Sequence, residues 1–267
     1  MKLLNKTKGA ETDGAQMALM DHLRELRNRV VKCVIAIVIG MIVCYFLYEW
    51  IYKILARPYC LSAEAVHEDC QLYITDLLGG FVLRMKVAMY GGVMLALPVL
   101  LWQLWRFVVP GLYKNERRYT IAFVAVSLVL FALGAALAYY TLPAMLEWLR
   151  GAASPADSLI AIQTVDRYFW LTAMMMVGFG LGFEFPVLLV ALQMVGVLDP
   201  KTLASFRRQA LVGIVVLVAV ITPGGDPISL VVLSVPMYLF YELSILAGRL
   251  ILRRRRKADA AASAGAS

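Results

Sequence analysis

A lone acid interrupts a basic stretch between two long apolar segments. In the run from Leu112 to Arg118, Glu116 is surrounded by Lys114, Arg117 and Arg118. Local charge balance explains such a residue without any function, because an exposed ion pair contributes well under about 1 kcal/mol. A function for Glu116 has to be argued from the rest of the chain.

A second acid in basic surroundings lies ahead of the first apolar segment. Leu23, Leu26 and Val30 recur at helical spacing, which places an apolar face against the membrane and leaves Glu25 pointing away from it. Glu25 and Arg29 are spaced as an i,i+4 pair on a helix, which contributes a few tenths of a kcal/mol. That pairing is a sufficient account of Glu25 in the absence of other evidence.

The third acid lies inside an apolar segment. Glu184 occurs in Gly-Phe-Glu-Phe-Pro, two residues ahead of Pro186. A carboxylate within a membrane is costly unless it is neutral, paired or facing water. We therefore expect Glu184 to face a cavity or a partner helix. The alternative is a polar contact within the subunit, which contributes about 0.6 to 2 kcal/mol.

Other site chemistries have little support. The two histidines lie outside the apolar segments, which also hold no Ser/His or paired Asp arrangement, so intramembrane hydrolysis is not expected. Cys33 and Cys44 lack metal-ligand spacing, and the chain has no phosphate-binding glycine loop. We expect no metal, no cofactor and no enzymatic activity. Cys60 and Cys70 fall in a predicted outer loop, and the sequence leaves open whether they form a disulfide.

Composition assigns the chain to the membrane proteins. Of its 267 residues, 61% are hydrophobic and 16% are charged, against roughly 25% charged in soluble domains. Spanning segments in lipid must satisfy their own backbone hydrogen bonds, so we expect an all-α membrane protein. Six apolar segments are predicted to be membrane helices: 30–48, 87–109, 120–142, 167–193, 209–222 and 228–248.

The distribution of basic residues predicts the orientation of these helices. Most of the 26 lysines and arginines fall in both termini and in the loops at 110–119 and 194–208. The positive-inside rule therefore places both termini and these two loops in the cytoplasm. The Arg253–Lys257 run is expected to meet anionic lipid rather than nucleic acid.

Prolines and one short segment predict the shape of the bundle. Pro98, Pro186 and Pro236 lie inside apolar segments, where each removes a backbone hydrogen bond and bends the helix. The fifth segment has 14 residues between Arg208 and Pro223, about 21 Å against a hydrocarbon core of about 30 Å. We expect a concave bundle in which helices five and six are short.

Five motifs in register carry a resemblance to a known family. They resemble TatC, the six-helix subunit of the twin-arginine protein translocase, from about residue 20 to 250. The motifs are His22-Leu23-x-Glu25-Leu26-Arg27-x-Arg29, Pro110-x-Leu112-Tyr113-Lys114-x-Glu116-Arg117-Arg118, Phe183-Glu184-x-Pro186, Thr222-Pro223 with Asp226, and Pro236-Met237-Tyr238.

The resemblance implies a signal-peptide site on the cytoplasmic face. Proteins of this family recognise export substrates whose signal peptides carry two consecutive arginines, and their recognition acids match Glu25 and Glu116. Carboxylates can bind planar guanidinium groups bidentately. Arg27 lies in the same entry motif, and Phe107 and Leu112 resemble positions flanking the recognition acid.

The resemblance also implies partner contacts. Glu184 matches the family's intramembrane acid, and Thr222 with Asp226 matches the end of the fifth helix, where single-span subunits of the TatA and TatB type are thought to dock. Pro58 resembles an outer-loop proline important for assembly. One departure concerns Leu230, which stands where relatives commonly have glutamine, so the docking contact is expected to be weaker or to use Ser229.

The implied function is export of folded proteins across the bacterial cytoplasmic (inner) membrane, driven by the proton-motive force, with self-association in a receptor complex. An ion-coupled solute transporter is the alternative, although the paired internal repeat common in transporters is not found here. We expect a flexible cytoplasmic N-terminus at 1–20, a membrane domain at 21–250 and a disordered basic cytoplasmic tail at 251–267.

Overall fold

The computed structural model describes residues 4–65, 70–74, 76–108, 117–153, 164–222 and 225–264. Within these ranges the backbone forms eight α-helices. They are α1 (Leu4–Phe46), α2 (Tyr48–Ala65), α3 (Gly79–Val108), α4 (Arg117–Ala153), α5 (Val165–Val195), α6 (Pro200–Ser205), α7 (Arg207–Ile221) and α8 (Pro227–Ala264). The all-α prediction is confirmed for the described part of the chain.

Five of the described helices are long and apolar enough to cross a membrane. The candidate spans are Leu23–Phe46, Gly79–Arg106, Ile121–Gly151, Val165–Met194 and Pro227–Ile251. The remaining predicted segment forms α7, which has 15 residues and a length of about 22 Å. The shortness of the fifth segment is therefore confirmed.

The prediction that helix six is short is wrong. Its apolar span covers 25 residues, Pro227–Ile251, or about 37 Å at the usual helical rise. The helix begins at Pro227, directly after its N-cap Asp226, and continues past Gly248 into the basic residues. Polarity ended the apolar segment in the sequence, but polarity does not end a helix whose backbone hydrogen bonds continue.

The predicted outer loop at 49–86 contains a helix that we did not expect. Pro58, which the resemblance places in an outer loop, lies inside α2. Tyr48, Ile51, Tyr52 and Leu55 recur at i, i+3, i+4 and i+7 and pack against a buried cluster built around Phe169. The amphipathic spacing was visible in the sequence, but the segment has too few apolar residues to resemble a membrane span.

Several contacts fasten α2 to the bundle. Cys60 and Cys70 form a disulfide with a Cα–Cα distance of 4.9 Å, which resolves the pairing that the sequence left open. The Tyr168 hydroxyl donates to the Leu55 carbonyl at 2.6 Å, and Arg150 donates to the Ser62 carbonyl at 2.8 Å. Together these residues form a cap over one end of the bundle.

Helix α5 lies at the centre of the fold and α1 at its edge. Half of the α5 span is buried, against 11% of the α1 span. Helix α5 contacts α3, α4, α7 and α8, whereas α1 packs mainly against α3. The α1–α3 crossing is close, because a Cβ added at Gly40 would lie 2.6 Å from the Gly92 carbonyl oxygen.

Prolines are accommodated inside four of the long helices and in α2. Pro98 lies inside α3, Pro186 inside α5 and Pro236 inside α8, as the sequence predicts. At the two ends of the chain, the backbone is helical from Leu4 and up to Ala264. Helical backbone does not define a boundary near residue 20 or 250, so the predicted division into three parts stays a prediction.

Candidate functional site

Glu25 is an exposed carboxylate held by a neighbour on its own helix. Arg29 donates to Glu25 through its Nε at 3.1 Å and also through Nη2. The Glu25 side chain is 52% exposed, whereas that of Arg29 is 12% exposed. The carboxylate is thus oriented by a mostly buried guanidinium and still accessible to a ligand.

The same arginine joins this acid to α3. Arg29 donates through Nη1 to the backbone carbonyl of Gln103, at 3.3 Å. Gln103 lies near the end of α3, five residues before Val108, the last residue of that helix. The start of the α1 span is therefore fixed beside the end of α3, from which the chain continues into the segment 109–116.

The other predicted signal-peptide residues are only partly described. Arg27 is exposed on α1, two residues beyond Glu25. Phe107 is in the last turn of α3, but its side chain is not described. Leu112 and Glu116 lie outside the described residues. Because α4 begins at Arg117, Glu116 directly precedes a helix that packs against α3.

Glu184 lies about two thirds of the way along α5, beside a hydrogen-bonded pair of polar side chains. The indole Nε1 of Trp105 donates to Ser127 Oγ at 2.8 Å, and the Ser127 hydroxyl lies near the Glu184 carboxyl. Trp105 and Ser127 are both buried. The three side chains bring polar groups of α3, α4 and α5 to one level of the bundle.

A groove of about 340 Å³ opens beside Glu184. Its other lining residues are apolar and come from α3, α5 and α7, including Leu104, Leu188 and Leu217. Glu184 Oε1 is buried and has no hydrogen-bond partner among the described residues. A buried acceptor without a partner is costly, so a polar group entering this groove would find an unused hydrogen-bonding site.

Thr222 and Asp226 lie at the turn between α7 and α8. The Thr222 hydroxyl donates to the Val218 carbonyl at 2.9 Å, so it satisfies one backbone acceptor at the end of α7. Asp226 is fully buried and caps α8, accepting from the Ser229 amide at Oδ2 at 2.6 Å. The cap has a sequence signal that we missed, because Asp followed by Pro is typical of a helix start.

Ser229 and Leu230 lie at the position where we expect the docking contact to differ from that of relatives. Leu230 is partly buried against the main apolar core. Ser229 is fully buried, and neither its Oγ nor Asp226 Oδ1 has a hydrogen-bond partner among the described residues. Among the described residues of this turn, the buried side-chain atoms without a partner belong to Ser229 and Asp226.

Among the residues whose side chains are described, no group of three or more His, Cys, Asp or Glu residues could hold a metal ion. The polar positions of the site are hydrogen-bonding groups distributed over four helices. Such a set can bind and orient a ligand or a partner helix.

Comparison with known proteins places the chain in a family. The pattern that describes the Sec-independent protein translocase protein (TatC) matches residues 21–236. The chain belongs to the TatC family.

Relatives of TatC support the match over most of their length. The chain is 38% identical to the Sec-independent protein translocase protein TatC of Frankia casuarinae over 94% of this chain and 71% of that protein. It is 37% identical to TatC of Aquifex aeolicus over 90% of this chain and 98% of that protein. The chain is therefore a component of a Sec-independent translocase family and a multi-pass membrane protein.

A solved TatC structure has the same fold. The crystal structure of the twin arginine translocase receptor TatC in DDM superposes with a TM-score of 0.70 at 35% identity. The match covers 85% of this chain and 99% of that chain. The helical architecture of this TatC-family chain is thus shared with an experimentally determined receptor.

Sequence analysis missed two polar contacts that fasten the TatC-type bundle at the end opposite the cap. Arg207 and Glu242 form an ion pair through two contacts of 2.8 Å between α7 and α8. Gln193 is buried on α5 and donates to the Ser244 carbonyl of α8 at 3.2 Å. Sequence spacing could not pair these residues, because 35 residues separate Arg207 from Glu242 and 51 separate Gln193 from Ser244.

Proposed function

We propose that this chain is the signal-peptide receptor of a twin-arginine translocase. In this role it binds the paired arginines of an export signal at its cytoplasmic face and nucleates assembly of single-span TatA- and TatB-type partners. Folded cargo then crosses the bacterial inner membrane, driven by the proton-motive force. Membership in a translocase family argues against an ion-coupled solute transporter.

The proposal includes a topology of six membrane helices with both termini in the cytoplasm. Five long apolar spans and the 15-residue α7 supply the six crossings. A helix of about 22 Å is shorter than the hydrocarbon core, so the bilayer thins locally or neighbouring helices cover the ends of α7. In this topology Glu25 and the segment 109–116 lie on the same, cytoplasmic side.

One observation carries the recognition step, namely the exposed Glu25 carboxylate held by Arg29, which is itself anchored on α3 at Gln103. A carboxylate that is already oriented loses less side-chain entropy when it binds a guanidinium. Glu116 supplies the second acid from the segment that follows α3. Two acids on neighbouring elements match two consecutive arginines in a peptide.

Partner docking is assigned to the groove beside Glu184 and to the α7–α8 turn. Glu184 Oε1, Asp226 Oδ1 and Ser229 Oγ are buried polar atoms without partners in the described residues. Because α7 borders the groove through Leu217 and Ile221, a single-span helix packed against α7 would lie beside Glu184 and next to the turn that holds Asp226 and Ser229. Hydrogen bonds between membrane helices stabilise such contacts by about 0.6 to 2 kcal/mol each.

The test is peptide binding measured by fluorescence anisotropy with the purified full chain. A twin-arginine signal peptide and its twin-lysine analogue are titrated against wild type, Glu25→Gln and Glu116→Gln. Wild type is expected to prefer the arginine peptide, and each substitution to remove about 1.5 to 3 kcal/mol of binding, which is the typical worth of a charged hydrogen bond. The preference for the twin-arginine peptide over the twin-lysine peptide should disappear together with this binding energy.

Glu64→Gln is the matched control, because Glu64 is an exposed acid on α2, at the opposite face in this topology. It should bind both peptides as wild type does. Equal affinity of wild type for both peptides, or an unchanged preference in Glu25→Gln and Glu116→Gln, would refute the recognition site.

A further inference from the structure

A second groove lies on another face of the bundle, between α4, α5 and α8. It has a volume of about 440 Å³. Its walls are apolar and include Ala122 and Val126 of α4, Val190 and Met194 of α5, and Leu243 and Ile251 of α8. It shares no lining residue with the groove beside Glu184.

Two positions in the wall of this groove could present a polar group, and neither has a free one. Ser244 borders the groove, but its hydroxyl donates to the Tyr241 carbonyl of the same helix at 2.7 Å. Pro186, which also borders it, has no backbone N–H to donate. An occupant must therefore be apolar along the length of the groove.

The dimensions of the groove match one hydrocarbon chain. Along α8 its lining runs from Phe240 to Ile251, which is about 16 Å at ~1.5 Å per residue and close to half of a ~30 Å hydrocarbon core. Half of the hydrocarbon core is the depth of one leaflet, which is the distance that one acyl chain spans.

Basic residues follow the groove at one end. Arg254 and Arg255 come three and four residues after Ile251 in the same helix, which places these positions one turn further along the groove face. Arg249 and Arg253 are exposed on the opposite side of α8. On α4, Arg118 is one turn before Ala122. Positions carrying positive charge therefore flank the mouth of an apolar groove.

We propose that this groove binds one acyl chain of an anionic phospholipid from the surrounding leaflet, with the phosphate at the Arg254 and Arg255 end. Lipid phosphates attract juxtamembrane arginines, and the apolar wall accepts the chain. The bound lipid would fill the space between α4, α5 and α8 where the protein itself leaves it open. The site is independent of signal-peptide recognition and of the groove beside Glu184.

Native mass spectrometry of the delipidated full chain tests the proposal. The protein is titrated with dioleoyl phosphatidylglycerol and, separately, with dioleoyl phosphatidylcholine, which has the same chains and no net charge. Wild type is expected to retain one phosphatidylglycerol in preference to phosphatidylcholine. Two arginines near the headgroup correspond to a preference of up to roughly thirtyfold.

Two pairs of variants separate the chain site from the headgroup site. Val126→Trp fills the groove and should abolish the retained lipid, whereas Val129→Trp, on an exposed face of the same helix outside the groove, should keep it. Arg254→Gln with Arg255→Gln should reduce the preference for phosphatidylglycerol. Arg249→Gln with Arg253→Gln removes the same charge from the opposite face and should leave the preference unchanged.

Several results would overturn the proposal. Equal retention of the two lipids by wild type would show that the site does not select an anionic headgroup. An equal loss of preference in both arginine variants would show that the basic end of the chain attracts anionic lipid in general. If Val126→Trp retains lipid as Val129→Trp does, the groove is not the site. A change in oligomeric mass in Val126→Trp without a change in lipid retention would assign the groove to a protein contact instead.

Discussion

Glu184 and Asp226 are both acids in largely apolar surroundings, yet they have different local roles in the structure. Asp226 caps α8 through Oδ2, so its position is explained by helix formation alone. Glu184 lies near the Ser127 hydroxyl, terminates no helix and forms none of the ion pairs found in the described residues. The proposal of a docking role therefore depends more on Glu184 than on Asp226.

Glu184→Gln is expected to keep partner recruitment close to wild type, because glutamine retains a polar group with an acceptor oxygen in the groove. Glu184→Leu should weaken it, since losing a polar contact of about 0.6 to 2 kcal/mol corresponds to roughly 3- to 30-fold in affinity. Co-purification of tagged single-span partners measures the difference. If the leucine variant recruits partners at the wild-type level, Glu184 is not part of the docking site.

Substitutions at Asp226 can separate capping from docking. Asp226→Ala should lower the free energy of unfolding by about 0.5 to 2 kcal/mol through the lost N-cap, whereas Asp226→Asn should retain most of it because asparagine caps equally well. Thermal unfolding in detergent measures both. If the carboxylate also docks partners, the asparagine variant will be stable and defective in recruitment; a stable variant with normal recruitment would confine Asp226 to capping.

At the scale of whole helices, α1 is the most weakly held of the candidate spans. Only 11% of its span is buried, and its packing depends on the close approach of Gly40 and Gly92. Because α1 carries Glu25, the geometry of that crossing also fixes where the predicted recognition acid lies. Small residues at membrane helix crossings allow this kind of close contact.

Gly92→Ala is expected to destabilise the α1–α3 crossing. An added Cβ would lie 2.6 Å from the Met41 backbone nitrogen, and overpacking of this kind costs about 1 to 3 kcal/mol. Thermal unfolding should show the loss, together with weaker binding of the twin-arginine peptide. In the control Gly213→Ala, the new Cβ on α7 meets nothing within 4 Å, so stability should be unchanged or slightly higher. Equal stability of the two variants would contradict the crossing geometry.

At the scale of the whole molecule, the cap lies at one end of the bundle and the two grooves lie on its sides. The cap joins α2 to α4 and α5 and contains the Cys60–Cys70 disulfide. The opposite end holds Glu25 and the Arg207–Glu242 pair. A disulfide persists only in an oxidising compartment, so the cap provides an independent test of orientation.

Thiol alkylation is the measurement for orientation. Protein made in cells with an oxidising periplasm, denatured without reduction, should expose two of its four thiols, those of Cys33 and Cys44, because Cys60 and Cys70 are bridged. Prior reduction should expose all four. The Cys60→Ser, Cys70→Ser double variant should give two thiols under both conditions. Four reactive thiols in unreduced wild type would place the cap on the cytoplasmic side or exclude the bridge.

Much of the fold follows from the sequence because the apolar segments and prolines are local signals. The all-α class, the short α7 and the positions of Pro98, Pro186 and Pro236 inside helices were predicted in this way. Helix α2 was missed, since it has too few apolar residues to resemble a membrane span. The predicted length of α8 was too short, because the charged residues that end an apolar segment do not end a helix.

The sequence by itself determined the class of protein, the acids worth testing and the motifs shared with the TatC family, because composition and residue spacing are properties of the chain. Only the tertiary structure decided which groups meet. It brought Arg29 of α1 to Gln103 of α3, joined Trp105 of α3 to Ser127 of α4 beside Glu184, and closed the disulfide of the cap. Such contacts depend on helix packing and crossing geometry, which residues distant in the chain specify jointly and no local pattern records.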